Sequence, residues 1–167
     1  MQRTIKRLDR THEKLIATIG PLSPATFALR PSENEWSVGE IVHHLYLVED
    51  RVIKELEKAL AGPPQQLGLL RRLVPTSIVG MRLIKVKAPG AMNPVTPPDK
   101  EANIANYDAT RDKLKELCAN VGQERLKKVV FKHPFLGTLS GAAAVSFLGY
   151  HEVRHLKQIR EALRKLK

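Results

Sequence analysis

Aromatic residues are scarce in this chain. Four Phe, three Tyr and one Trp make up 5% of it, so its core must be aliphatic. No aromatic motif of the kind that stacks RNA bases is present. Cysteine is scarcer still. Cys118 stands alone, which excludes an internal disulfide and a zinc finger and fits a reducing, cytoplasmic setting. No run approaches the ~20 apolar residues that span a bilayer. The segment Met1-Gln2-Arg3-Thr4-Ile5-Lys6-Arg7 lacks the apolar centre of a secretory signal. Acid is short relative to base. There are 17 Asp and Glu against 28 Lys and Arg, a net charge of +11. Between Lys58 and Asp99 no acid occurs, and beyond Arg154 the only one is Glu161. This excess suits an anionic small-molecule partner. In the absence of a recognition motif, neither nucleic acid nor membrane is expected as a partner.

What is present is helical periodicity over 167 residues, 43% of them apolar. A chain of this length buries roughly 70% of its unfolded surface in one core. Ile5, Leu8, His12, Leu15, Ile16 and Ile19 recur at steps of three and four up to Gly20-Pro21. Ser23-Pro24 starts a short helical turn, and 30–35 reads as loop. Ser37-Val38-Gly39-Glu40 is a capping box, with Trp36 and Ile41 placed as a hydrophobic staple. From there Ile41, His44, Leu45, Val48, Val52, Glu55, Leu56 and Ala59 form the inner stripe of a helix that ends at Gly62-Pro63-Pro64. A third helix over Asp99–Ala119 turns Ile104, Tyr107, Arg111, Leu114, Cys118 and Val121 inward. Gln123–Phe131 is a short helix or an extended piece, and 133–137 a turn. The last helix starts near Thr138 or Ser140 with the stripe Ala144, Leu148, His151, His155, Ile159 and Leu163. Four long amphipathic helices predict an all-α four-helix bundle in one domain over 1–167. Residues 62–98 hold seven of the eleven prolines and read as an insertion. Within it 67–74 has a helical pattern, and 79–86 suits helix or strand.

Three histidines fall on inward stripes. His151 and His155 are four residues apart, one helical turn, close enough to share an ion. His44 lies between Ile41 and Val48 on another helix. Each alone reads as a hydrogen-bonded core residue. The three together read equally as a site for a divalent transition metal with positions left for water or substrate. His43, one step of 100° round, would turn Ile41, Leu45 and Val48 outward if it faced in. His12 reads as a core or supporting residue and His133 as loop support. The string His151-Glu152-Val153-Arg154-His155 also spells the zinc-protease motif. Gln158 and Glu161 stand where the extended motif needs Gly and His, and Glu152 lies ~100° off the stripe, which argues against a protease.

The stretches Trp36-Ser37-Val38-Gly39-Glu40-Ile41-Val42-His43-His44-Leu45, His133-Pro134-Phe135-Leu136-Gly137-Thr138-Leu139-Ser140 and Tyr150-His151-Glu152-Val153-Arg154-His155-Leu156-Lys157-Gln158-Ile159 resemble, in order, signatures of the DinB-like (YfiT-like) superfamily. The resemblance spans the chain. It implies a four-helix bundle with a divalent metal, zinc or nickel, on His44, His151 and His155. It also implies metal-dependent hydrolysis, or transfer chemistry with a low-molecular-weight thiol cofactor. Such thiols carry carboxylates, for which Arg111 is the candidate binding residue; alternatively its stem packs and its head reaches water. Gln158, three residues after His155, is placed to orient that ligand or to be partly exposed. Cys118 reads as a small apolar residue. The rival to an enzyme is a metal-stabilised binding protein whose basic surface docks an anionic partner. Leu67, Leu69, Leu70, Leu73, Val74, Ile78 and Val79 need cover, either by packing onto the bundle or in a homodimer, and the resemblance favours the homodimer.

Overall fold

A computed structural model describes residues 2–62, 97, 99–133 and 137–167. The helical and apolar features read within 63–96, and the turn at 134–136, lie outside the described residues. The order is α1 Gln2–Ile19, α2 Pro24–Ala28, α3 Val38–Ala61, α4 Lys100–Val121, α5 Gln123–Lys128, β1 Val130–His133, β2 Gly137–Ser140 and α6 Gly141–Lys165. The four long helices are those the periodicity predicts. The piece after α4 resolves into a short helix followed by a strand. That strand pairs antiparallel with β2, Val130 opposite Ser140 and His133 opposite Gly137.

The starts of α3, α4 and α6 each have a local cause. Ser37 Oγ accepts from the Glu40 amide at 3.1 Å, and Glu40 Oε2 accepts from the Ser37 amide at 2.8 Å. This reciprocal pair satisfies two amides that α3 would otherwise leave orphaned. Arg30 also pairs with Glu40. Burial pushes the Glu40 carboxyl up, but the Arg30 and Ser37 donors outweigh it and hold the group below its ordinary value. Asp99 and Ser140 cap α4 and α6, accepting from Ala102 at 2.8 Å and Ala143 at 3.1 Å. Gly39 is required where it stands. A Cβ there would sit 2.9 Å from Phe27 Cε1, so only glycine lets α2 close onto α3.

The interior has two apolar clusters. One gathers Leu8, Val52, Leu114 and Leu148, the other Leu15, Leu45, Tyr107 and Leu156. Along every long helix a polar residue intervenes between its members: His12 on α1, Glu49 on α3, Arg111 on α4 and Glu152 on α6. The sequence stripe placed Glu55 inward. In the structure Glu55 pairs with Arg51 at the surface and Glu49 is buried at 2% exposure.

Candidate metal centre

α6 carries His151 and His155 one turn apart, and α3 packs beside α6 and carries His44. The three Nε2 atoms converge. His44 to His151 is 3.3 Å and His151 to His155 is 3.1 Å. One ligand atom from each histidine lies within 4.8 Å of the others. His44 and His155 are buried, and His151 partly so. Trp36 lies against His44, with ring centroids 5.1 Å apart, and Phe147 stacks on His151 at 5.3 Å. These rings border the centre with apolar surface.

The donor set fits a divalent cation. Imidazole lone pairs directed at one another across ~3 Å repel unless a proton or a cation lies among them. A tetrahedral zinc with Zn–N of about 2.05 Å sets its ligand nitrogens about 3.3 Å apart, close to the spacings here. The tautomer also fits. His155 Nδ1 lies 2.9 Å from Gln158 Oε1, and an amide oxygen only accepts. His155 therefore carries its proton on Nδ1 and offers the Nε2 lone pair to the centre. Gln158 thus takes the supporting role open to it in the sequence.

The other histidines lie elsewhere. The His43 ring contacts Tyr46 at 5.7 Å, and burial pushes its imidazole below the ordinary value. His12 Nε2 lies 2.6 Å from Asp108 Oδ1. Burial opposes its charge, but Glu152 and Asp108 outweigh burial and the Arg111 charge, so its pKa is raised.

Arg111 requires correction on both of its sequence readings. Its guanidinium is buried at 2% exposure. Nε and Nη2 donate to the two Glu49 oxygens at 2.8 and 2.9 Å, Nη1 donates to the Leu8 carbonyl at 3.1 Å, and Nη2 lies 3.2 Å from Glu152 Oε1. The head neither reaches water nor faces an incoming anion; two carboxylates of the chain occupy it. Tyr107 donates to Glu152 Oε1 and completes the layer. Burial opposes the Arg111 charge, and Glu49 more than restores it. The sequence reading missed Glu49 and Glu152 as buried partners. The available signal was spacing: Glu49 is four residues from Leu45 and three from Val52, both core positions. Cys118 is buried, which pushes its thiol up to about 11.

The fold has solved counterparts. YfiT from Bacillus subtilis, described as a probable metal-dependent hydrolase with an unusual four-helix bundle topology, superposes with a TM-score of 0.69 at 16% identity, over 99% of this chain and 86% of that one. TT2238, a four-helix bundle protein, gives 0.65 at 23% identity over 96% and 98%. Both likenesses concern the fold. In sequence, the uncharacterized protein YuaE of Bacillus subtilis (strain 168) is 26% identical over 148 residues, 87% of this chain and 88% of that protein. The sequence model of the DinB superfamily matches residues 7–159, a span that contains His44, His151 and His155, and the chain belongs to that superfamily.

Proposed function

We propose that this protein is a metal-dependent enzyme whose centre is His44, His151 and His155, and that its reaction is hydrolytic. The observation that carries this reading is the convergence of three Nε2 atoms, with two neighbouring pairs at 3.1 and 3.3 Å, in a buried setting. A divalent ion held there would supply Lewis acidity toward a substrate oxygen or a water. The chain's own residues do the rest. α6 fixes two donors one turn apart, α3 contributes the third, and Gln158 holds the His155 ring and its tautomer. Trp36 and Phe147 keep bulk water from the flanks of the centre. YfiT's description as a probable metal-dependent hydrolase points to the same chemistry.

Zinc and nickel are the ions we assign first, since three neutral imidazoles suit both. Transfer to a low-molecular-weight thiol is the variant of this reading in which a thiol cofactor, rather than water, would be the nucleophile that the ion activates. The test is a screen of ester, amide and thiol-transfer substrates with protein reconstituted in zinc or nickel. Turnover lost on chelation and restored by metal supports the reading. Turnover untouched by chelator, or by His151→Ala, contradicts it.

A further inference from the structure

The excess positive charge is not spread evenly over this surface. Several exposed cations have carboxylate partners: Arg51 on Glu55 at 2.8 Å, Lys54 on Asp50 at 2.7 Å, Lys113 on Glu57 at 3.1 Å and Lys127 on Glu124 at 2.7 Å. Two stripes lack them. On α1, Arg3, Arg10 and Lys14 lie on one line with Arg7, at steps of four, three and four. On α6, Lys157, Arg160 and Arg164 follow steps of three and four. All six named besides Arg7 are exposed, and none forms an ion pair among the described residues. Of the acids nearest in sequence, Asp9 pairs with Lys115 at 3.6 Å, while Glu13 and Glu161 flank the line at helical steps of three and four from Arg10 and Lys157.

The packing joins the stripes into one track. The Arg7 guanidinium lies 4.1 Å over the Tyr150 ring, and a Cβ on Gly149 would meet both Arg7 and Leu8. Farther along, Leu15 and Ile19 share a cluster with Leu156 and Ile159. The two helices therefore run side by side in the same direction, with residue 7 level with 150. By equal rise, Lys14 is level with Lys157. The α6 stripe begins where the α1 stripe ends. From the level of Arg3 to that of Arg164 is 18 residues of rise, about 27 Å, with a cation roughly every 5 Å. Arg160 and Arg164 stand nine residues after His151 and His155, two and a half turns, so the track lies on the side of α6 opposite the metal centre.

We propose that this track docks the phosphate backbone of a nucleic-acid duplex, without regard to base sequence. A single line of cations matches a linear polyanion, whereas a bilayer would be met best by charge spread in two dimensions. Among the described residues no exposed aromatic lies along the line to stack an unpaired base, and Tyr150 is covered by Arg7. Among the described residues no element projects from it into a groove, so their contact is with phosphate alone. The proposal departs from the expectation drawn from sequence, which weighed the charge without knowing which cations were paired.

The test is fluorescence anisotropy of labelled random-sequence DNA duplex with the full chain over a salt series. Six phosphate contacts at about −0.9 each predict a slope of log binding constant against log salt of about −5. Arg10→Gln with Lys157→Gln should weaken binding on unrelated duplexes alike and reduce that slope by about 2. Lys113→Gln with Lys115→Gln removes two charges that are already paired, with Glu57 at 3.1 Å and Asp9 at 3.6 Å, and should leave the slope unchanged. Circular dichroism checks that both remain folded, and Lys14→Gln with Arg164→Gln replaces the first pair if it does not. Loss confined to the track supports the proposal. Equal loss from both pairs, or no duplex binding by the wild type, overturns it. So does a preference for vesicles of phosphatidylcholine and phosphatidylserine over duplex at the same salt.

Discussion

At the scale of single residues the proposed metal centre would depend on one hydrogen bond outside its three histidines. Gln158 Oε1 accepts from His155 Nδ1 at 2.9 Å, which leaves the Nε2 lone pair free for a metal ion. Gln158→Leu removes the acceptor while keeping the side chain's approximate volume. Its metal affinity, measured by chelator competition, should fall about 10- to 100-fold, and Gln158→Glu should restore it. An unchanged Gln158→Leu affinity would mean that the ring is oriented by packing alone. His12 supplies a second residue-scale effect. Its pKa is raised, so its proton contributes stability that is fully present below about pH 6.5, the ordinary histidine value. That part is lost as pH rises through the higher folded value. Urea unfolding of wild type and His12→Gln should show a gap that closes over that window. A gap that widens with rising pH would reverse the sign.

At the scale of elements, the four long helices and the α3 capping box were legible because each rests on local chemistry: period, cap and stop. The three clustered histidines were legible for the same reason. His151 and His155 share a face by spacing alone, and His44 is set inward by the apolar residues around it. The polar layer was not legible. Glu49 and Glu152 are charged residues at core heights, and nothing in a single helix shows that an arginine from another helix will meet them. The stripe therefore admitted Glu55, which lies nearer the surface. The hairpin of β1 and β2 was also missed, since pairing depends on a partner rather than on a period. The layer makes a firm prediction. Arg111→Met leaves Glu49 and Glu152 buried without their shared cation and should cost about 3–5 kcal/mol of stability. Adding Glu49→Leu and Glu152→Leu should recover much of it. Denaturant titration of the single and triple variants decides this. A single variant as stable as wild type would show that the layer does not hold the helices together.

At the scale of the whole molecule, two sides of α6 carry different chemistry. One joins α3 around three imidazoles, and the other joins α1 along a line of unpaired cations. The apolar residues counted between 67 and 79 predict a homodimer, which sedimentation at micromolar concentration should show; a single monomer boundary would count against it. The central claim is the metal centre, and metal titration of the purified protein tests it most directly. Binding needs unprotonated imidazoles, so uptake should weaken on acidification. Wild-type protein should bind one zinc or nickel ion per chain. His44→Ala, His151→Ala and His155→Ala should each lose it, while His43→Ala keeps it. A wild-type protein that takes up no divalent ion, or a His44→Ala variant that binds as tightly as wild type, would contradict the account.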